Sequence, residues 1–242
     1  MTNASDLRDL AHEAREAWEA AAHWWVTRMK SHPLGDVFRR EHLTHALLAA
    51  LPDEGGSLLD LGCGDGYLSR LVAERGGEVI GVDWSASMIA AAQAAVPGNA
   101  NSEYVVADAA ERLPFASNSF NVIVSSMFVM DVIALDAVLS NAHRVAQRDG
   151  VAVWAVLDPV GIESSQADYF DVDRMEQRHV PGSRWSAWVR FANDQPAATL
   201  FVDRDEEAYR AAFDRCGWQV ESRAVLSRTV HPRAIIFRTR KG

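Results

Sequence analysis

The spacing of apolar residues predicts two helices and then a regular alternation of strands and helices. Apolar residues recur every three or four positions from Ala4 to about Lys30 and again from Phe38 to Leu51, as on helices that bury one face. Short apolar runs follow, and helical stretches separate several of them, which is typical of a parallel sheet. The predicted elements are, in chain order, a strand in "GSLLDLG", a helix in "YLSRLVAERG", a strand in "GEVIGVD", a helix in "SASMIAAAQAAV" capped by Ser85, strands at Glu103 to Ala107 and at 120–126, a helix from about Leu135 to Gln147, and a strand in "GVAVWAVLD".

The regular pattern stops after the fifth strand and returns near the end of the chain. Residues 159–202 are rich in aromatic and charged side chains and show no clear period, so we interpret them as an insertion. A helix in "DEEAYRAAFDRCG" and strands in "QVESRAVLS" and "RAIIFRTR" complete the pattern. We therefore expect a single domain over 1–242. Its predicted parts are an N-terminal helical cap (1–52), a central core (53–158), a lid insertion (159–202) and a C-terminal helix with two strands (203–242).

Composition and charge narrow the class of partner. The 24 lysines and arginines face 33 acidic residues, and the resulting net charge of -9 disfavours a nucleic acid as partner. No apolar run is long enough to span a membrane, and the N-terminal segment lacks the apolar core of a signal peptide, so we expect a cytoplasmic protein. Cys63 and Cys216 are the two cysteines, and their spacing favours neither a disulfide nor a zinc site.

Three glycines between the first strand and the following helix indicate a ligand-binding turn. Gly62, Gly64 and Gly66 stand where a doubly wound fold binds its ligand, at the carboxyl end of the sheet. Glycine tolerates a positive φ and lets ligand atoms approach the backbone. A dinucleotide site carries its third glycine one residue later, where this chain has Tyr67. The spacing therefore disfavours a pyrophosphate, and Asp65 at the start of the helix would repel one.

An acid at the end of the second strand adds to this picture. Asp83 stands at the position where such folds place the carboxylate that binds a ribose diol. Asp65 and Asp83 also have structural alternatives, which are a helix cap and a strand end. Their occurrence together and in this order favours a nucleoside ligand with little or no phosphate.

Five segments follow one another from the first strand to the fifth: "LLDLGCGDGYLSRLV", "VIGVDWSASMI", "YVVADAAERLPF", "FNVIVSSMFVMDV" and "HRVAQRDGVAVWAV". In order and spacing they resemble the motifs of class I S-adenosylmethionine-dependent methyltransferases, closely over residues 40–160. The resemblance implies a Rossmann-like, doubly wound α/β fold with a seven-stranded, mostly parallel sheet whose last strand is antiparallel. It also implies S-adenosylmethionine as cofactor and transfer of its methyl group by in-line displacement.

The family pattern, carried over residue by residue, assigns the cofactor-binding positions. The backbone at Gly62, Cys63 and Gly64 would lie against the methionine portion, and Asp60 would help to bind its amino group. Asp83 would accept hydrogen bonds from the ribose hydroxyls. The other implied positions are Trp84 and Met88 beside the adenine, Asp108 and Ala109 at its edge, and Ser125, or the backbone near it, beside the methionine moiety.

The residues after the fourth strand bear on the methyl acceptor. Ser125, Ser126, Met127 and Phe128 replace the Asn/Asp-Pro-Pro-Tyr/Phe element of enzymes that methylate exocyclic amines of DNA bases or protein amides. They also lack the acid with which catechol-type enzymes hold a metal, so we expect no metal. We expect instead a small-molecule acceptor, aromatic or cationic, bound by aromatic walls. The predicted pocket residues are Trp24, Met127, Phe128, Tyr169, Phe170, Trp185 and Trp188.

Three residues are candidates for a catalytic role, although methyl transfer to an activated carbon often needs no base. They are His23, Asp131 and Asp158. His23 is alternatively a core or surface histidine, and Asp131 is alternatively the cap of the following helix. Trp18 and Trp25 are seven residues apart, a spacing that predicts packing onto the sheet.

Two functions of other classes stay open at the level of sequence. A chain with the same fold could bind S-adenosylmethionine as a catalytically silent regulatory subunit. A nicotinamide-dependent oxidoreductase is disfavoured by Tyr67, which replaces the third glycine of a dinucleotide turn. A homodimeric assembly is a further hypothesis.

Overall fold

A seven-stranded sheet forms the centre of the fold. The computed structural model of the protein describes residues 4–31, 38–53, 56–96, 101–157, 171–190, 198–226 and 234–242. The strands of the central sheet are β1 (Ser57–Leu61), β2 (Glu78–Asp83), β3 (Ser102–Val106), β4 (Phe120–Ser126), β5 (Ala146–Leu157), β9 (Trp218–Leu226) and β10 (Ala234–Lys241). Three further strands, β6 (Asp171–Arg178), β7 (Trp185–Arg190) and β8 (Thr199–Asp203), form a separate sheet.

The order of the central strands is β3-β2-β1-β4-β5-β10-β9. Strand β1 pairs in parallel with β2 and β4, and β4 pairs in parallel with β5. Strand β10 is antiparallel to both of its neighbours, β5 and β9. The predicted seven-stranded, mostly parallel sheet with an antiparallel last strand is therefore confirmed. The strand order reverses between β1 and β4, where open α/β sheets bind their ligands.

Helices cover both faces of this sheet. They are α1 (Ala4–Ser31), a π-helical segment (Phe38–Leu43) that runs into α2 (Thr44–Ala50), α3 (Tyr67–Glu74), α4 (Ala86–Ala94), a 3-10 turn (Val129–Asp131), α5 (Leu135–Val145) and α6 (Glu206–Arg215). Alternate residues of β1 point to opposite faces, so that Leu59 packs with α5 and α6 while Leu58 packs with α2 and α3. None of the described helices combines the length and apolarity needed to cross a bilayer.

The segment between β5 and α6 differs from its prediction. Residues 159–202 show no period in the sequence, yet their described part contains strands β6 and β7 and most of β8, which pair antiparallel. All five residues of β8 are buried, so the strand lacks the apolar and polar alternation that reveals a half-exposed strand. Leu200 and Val202 of β8 pack against Leu10 and Ala14 of α1. The second sheet therefore supports the N-terminal helix.

Two predicted boundaries shift in the structure. Helix α5 ends at Val145, whereas the sequence predicts its continuation to Gln147, and β5 begins already at Ala146. The pairing of β5 with β4 changes register after Ala146, which pairs with Phe120. The polar residues Gln147, Arg148 and Asp149 lie between Ala146 and Val151, the next residue paired with β4, and they hide the start of the strand in the sequence.

Replacement of Asp205 by alanine is expected to lower the free energy of unfolding by about 1 kcal/mol. The Asp205 carboxylate accepts a hydrogen bond of 2.8 Å from the backbone N–H of Ala208 at the start of α6, and alanine cannot satisfy that donor. Urea unfolding followed by circular dichroism measures the change. The matched variant Glu207→Ala, at an exposed position in the same turn, should lose clearly less stability, and equal losses would contradict the assigned cap.

Candidate functional site

Two adjoining cavities lie at the carboxyl ends of β1, β2 and β4. The large cavity has a volume of about 560 Å³ and extends past the ends of β2 and β3. The small cavity has a volume of about 150 Å³ and extends toward α2 and α3. The residues that border both cavities are Trp18, Trp25, Gly62, Gly64, Ser126, Met127 and Asp131. Two ligands bound side by side would therefore meet at the glycine turn.

The three glycines of the turn have different roles. All have positive φ, which is +70° at Gly62, +53° at Gly64 and +70° at Gly66. A Cβ atom at Gly62 would lie 2.3 Å from Cγ of Phe128, and one at Gly66 would lie 2.5 Å from the hydroxyl of Tyr104. A Cβ atom at Gly64 would meet nothing within 4 Å. Protein side chains therefore fill the space at Gly62 and Gly66, and Gly64 alone of the three leaves open space for a ligand.

Asp83 connects this turn with the start of α4. Its carboxylate accepts hydrogen bonds from the backbone N–H groups of Gly64 (3.0 Å) and Ser85 (2.9 Å). Burial raises the pKa of Asp83 to about 6 against the opposing effect of these bonds. Asp83 lines the large cavity together with Trp84 and Met88. These three predicted cofactor-binding residues therefore lie together.

Asp60 and Cys63 line the small cavity next to the turn. The Ser69 hydroxyl donates a hydrogen bond of 2.6 Å to the Asp60 carboxylate. Burial, aided by the nearby Asp83 and Asp65 carboxylates, raises the pKa of Asp60 to about 7. Burial also raises the pKa of the Cys63 thiol, so this thiol is a poor nucleophile at neutral pH.

Asp65 has a local structural role that the sequence left open. Its carboxylate accepts a hydrogen bond of 3.3 Å from the backbone N–H of Tyr67, the first residue of α3. A guanidinium nitrogen of Arg39 lies 3.7 Å from the same carboxylate, and the guanidinium lies 4.3 Å from the centre of the Tyr67 ring. The charge of Asp65 is therefore already compensated by protein groups.

Helix α1 lies across the large cavity and contacts residues at its edge. The Glu19 carboxylate accepts hydrogen bonds from the hydroxyls of Ser85 and Ser87 at the start of α4. Arg15 forms an ion pair with Asp108. The sequence does not predict these contacts, because a helix that packs on a sheet and one that covers a cavity show the same period. Acidic and basic residues on the face of α1 that also carries Trp18 are the signal that could have indicated them.

The predicted adenine-edge and methionine positions are only partly at the cavity surface. Asp108 lines the large cavity, and its carboxylate accepts a hydrogen bond of 2.8 Å from the N–H of Ala110. Ala109 is buried beneath the surface, and Ala110 lines the cavity in its place. Ser125 is also fully buried and lies outside both linings, whereas Ser126 borders both cavities. Ser125 and Ser126 are adjacent strand residues and face opposite sides of the sheet, and the position of the methionine moiety beside Ser125 or its neighbouring backbone stays a prediction.

Some of the predicted acceptor residues line a cavity, and others line neither of the two. Met127 and Phe128 line the large cavity, and Met127 also lines the small one. Trp24 is outside both linings, and the tryptophans that the sequence assigned to sheet packing, Trp18 and Trp25, border both cavities. The side of α1 that faces the two cavities therefore carries Trp18 and Trp25. Trp188 packs against the cluster that joins α1 to the second sheet and lies outside both linings.

The candidate catalytic residues also have different positions. Asp131 borders both cavities, whereas His23 is exposed and lines neither. Asp158, Tyr169 and Phe170 lie outside the described residues, and Trp185 begins β7. In the part of the chain that the structure describes, no three His, Cys, Asp or Glu side chains form a cluster that could hold a metal ion.

The chain is similar in sequence to known methyltransferases. Residues 59–154 match a family model described as a methyltransferase domain. A ubiquinone biosynthesis O-methyltransferase of Mesorhizobium japonicum is 31% identical over 149 residues, which are 57% of this chain and 59% of that protein. A malonyl-acyl-carrier protein O-methyltransferase of Serratia marcescens is 31% identical over 126 residues, which are 52% and 47%. The chain spans about half the length of these curated relatives.

Solved structures share the fold at lower identity. An S-adenosylmethionine dependent methyltransferase from Mesorhizobium loti has a TM-score of 0.62 at 21% identity, over 81% of this chain and 96% of that chain. The 1,6-didemethyltoxoflavin-N1-methyltransferase of Burkholderia thailandensis, with bound S-adenosylhomocysteine, has a TM-score of 0.62 at 15% identity, over 96% and 90%. Residues 59–154 of the chain therefore match a methyltransferase domain, and the fold is the one that these solved methyltransferase structures share.

Proposed function

We propose that the chain transfers a methyl group from S-adenosylmethionine to a small-molecule acceptor, with the cofactor in the large cavity and the acceptor in the small one. The observation that carries this proposal is the shared border of the two cavities at Gly64, Met127 and Asp131. When bound, S-adenosylmethionine supplies a methyl carbon activated by a positively charged sulfur. The chain's own contribution is then to hold the acceptor in line and to exclude water.

The residues of the large cavity fit this cofactor. The open space beside Gly64 leaves room for a ligand against the backbone, and Asp83 offers a carboxylate for ribose hydroxyls. Asp60 lines the small cavity and not the large one, so the amino group that its carboxylate would bind reaches past the glycine turn into the small cavity. Trp84 and Met88 supply apolar surface for the adenine. Asp108 can accept from the adenine amino group only where the Arg15 guanidinium leaves one of its oxygens free.

An acceptor assay tests the proposal. The purified chain is incubated with S-adenosylmethionine and a panel of phenols, amines, indoles and carboxylic acids, and release of S-adenosylhomocysteine is measured. Turnover with one class establishes the activity. Binding of S-adenosylhomocysteine without any turnover would favour the catalytically silent subunit, and a thermal shift with NADH alone would favour the oxidoreductase.

Binding of S-adenosylhomocysteine is expected to release protons near pH 6.5. The pKa of Asp60 is raised to about 7 and that of Asp83 to about 6, mainly by burial, and a bound ammonium or hydroxyl donor favours the ionised form of each. The affinity should therefore rise between about pH 5 and pH 8. Calorimetry in buffers of different ionisation enthalpy measures the number of protons released.

Asp60 and Asp83 also determine how the stability of the chain without ligand depends on pH. Their pKa values in the folded state lie above the usual 3.8, so the folded state binds more protons than the unfolded state between about pH 4 and pH 7, and stability falls as the pH rises through this window. Asp60→Asn should reduce both the proton release and this loss of stability. Unchanged proton release in Asp60→Asn would contradict the placement of the cofactor's amino group.

A further inference from the structure

We infer that the methyl acceptor is an amine on an apolar or aromatic body, and that Asp131 holds its nitrogen in the small cavity and accepts a proton from it. The inference rests on the proposed function, because it assigns the acceptor to the small cavity. It goes beyond that function by naming the chemical class of the acceptor and the residue that binds its reacting group.

The carboxylate of Asp131 is available to a ligand. The residue ends the 3-10 turn after β4, and its backbone N–H is bonded to the carbonyl of Phe128 (2.9 Å). Its side chain does not cap α5, whose N-cap residue is Ala134 and has no side-chain cap. Within the described part of the chain, the Asp131 carboxylate accepts no hydrogen bond, although it borders both cavities. Asp131 is half-buried, so a ligand in these cavities can supply the missing hydrogen bond.

A buried arginine fixes the turn that carries this acid. Arg204 is 4% exposed, and its guanidinium donates hydrogen bonds to the backbone carbonyls of Val129 (3.4 Å), Val132 (2.7 Å) and Ile133 (3.2 Å). These bonds flank Asp131 on both sides in the sequence, and Arg204 also forms a hydrogen bond with the Tyr209 side chain. The arginine therefore positions the turn, and its charge lowers the pKa of Asp131 against the effect of burial.

The charges around the small cavity favour a cationic group over an anionic one. Asp60, Asp65 and Asp131 line it together with a single basic residue, Arg39. Arg39 already lies 3.7 Å from Asp65, and Asp60 is the group proposed for the cofactor's amino group. Asp131 is then the acid that remains for the acceptor. A carboxylate or phenolate would meet like charge at this point, whereas an ammonium group would be stabilised.

The walls of the cavity suit the body of such a molecule. Trp18 and Trp25 lie in an edge-to-face arrangement with ring centroids 5.4 Å apart, and both border the small cavity. Aromatic faces attract cations as well as apolar groups. Phe38, Leu47 and Leu157 supply further apolar surface. An amine with an attached ring or alkyl group matches this combination.

The proposed proton transfer involves only the ammonium group of the acceptor and the Asp131 carboxylate. An N–H bond of the acceptor's ammonium breaks, its electron pair stays on nitrogen, and the proton forms an O–H bond with the carboxylate. Burial raises the pKa of Asp131 well above its usual range, so its carboxylate is a stronger base than an exposed one. Methylation of the freed amine leaves a positive charge on nitrogen, which the acidic lining stabilises. Methylation of a hydroxyl develops negative charge on the oxygen as its proton is lost, and the acidic lining disfavours that charge.

The test compares three probes that differ only in the polar group: benzylamine, benzyl alcohol and benzoate. Calorimetry with the full chain saturated by S-adenosylhomocysteine should give the order amine, alcohol, benzoate, with the amine bound about tenfold or more tightly than the alcohol. Asp131→Asn, likewise saturated with S-adenosylhomocysteine, should lose about tenfold in benzylamine affinity. Asp136→Asn removes an equal charge nearby, from an acid paired with Arg215 at the surface, and should bind benzylamine like the wild-type chain.

Each outcome decides the inference. Tighter binding of the alcohol or benzoate, unchanged benzylamine binding in Asp131→Asn, or no binding of any probe by a chain that binds S-adenosylhomocysteine would overturn it. The affinities of the wild-type chain for the three probes test the acceptor class without any variant. This test remains valid even if Asp131→Asn fails to fold. Failure of the wild-type chain to bind S-adenosylhomocysteine would contradict the proposed function instead.

Discussion

Asp83→Ala is expected to bind S-adenosylhomocysteine at least about 100-fold more weakly than the wild-type chain, since two hydrogen bonds to a charged acceptor contribute about 1.5–3 kcal/mol each. The carboxylate lines the large cavity and also bonds the N–H groups of Gly64 and Ser85. Its removal therefore takes away the proposed ribose contact and loosens the turn against which the methionine portion would lie. Titration calorimetry measures the affinity directly.

Two further variants separate these effects. Glu78→Ala removes an exposed acid at the other end of the same strand and should bind S-adenosylhomocysteine normally. Asp83→Asn keeps one oxygen for a backbone N–H group, so it should unfold at a higher temperature than Asp83→Ala and still bind weakly. Wild-type affinity in Asp83→Ala would show that the ribose lies elsewhere.

Gly62→Ala is expected to lose mainly stability, whereas Gly64→Ala is expected to lose mainly affinity for the ligand. The Cβ atom at Gly62 would lie 2.3 Å from the Phe128 ring at a φ of +70°, so the free energy of unfolding should fall by about 3 kcal/mol from backbone strain and overpacking. The Cβ atom at Gly64 has open space within the protein, so Gly64→Ala should lose about 1 kcal/mol from its positive φ alone. Its methyl group enters the space of the ligand and should weaken S-adenosylhomocysteine binding by about tenfold.

Gly76→Ala is the matched control for both variants. Gly76 has a φ of +90° with nothing within 4 Å of its Cβ position, and it is exposed in the turn before β2. It should lose stability like Gly64→Ala and keep full affinity for the ligand. Chemical denaturation and calorimetry on the three proteins measure both quantities. Equal stability losses at Gly62 and Gly64, or normal binding by Gly64→Ala, would contradict the division of roles.

The sequence predicts the central sheet and the cofactor side of the site well, because both depend on local signals. The glycine spacing and Asp83 follow directly from a strand, a turn and a helix that are adjacent in the chain. The sequence could not tell which glycine is open, since the side chain that fills the space at Gly62 is the distant Phe128.

The acceptor side depends on contacts that have no local signal. Trp18 and Trp25 occupy the face of α1 toward the cavities, and Trp24 does not, although a helical period treats any apolar face as a packing face. Strand β8 is buried throughout and so has no alternating pattern. The role proposed for the Asp131 carboxylate follows only from the cavities that it borders and from Arg204, which lies far along the chain.

The position of α1 makes the two cavities thermodynamically dependent on each other. One helix provides Trp18 and Trp25 to both cavities and binds the edge of the large one through Arg15 and Glu19. A ligand that shifts or fixes this helix from one side changes the free energy of binding on the other. The coupling is reciprocal: the factor by which the first ligand changes the affinity for the second equals the factor in the opposite direction. A substitution in α1 outside both linings can therefore alter the order in which the two ligands bind.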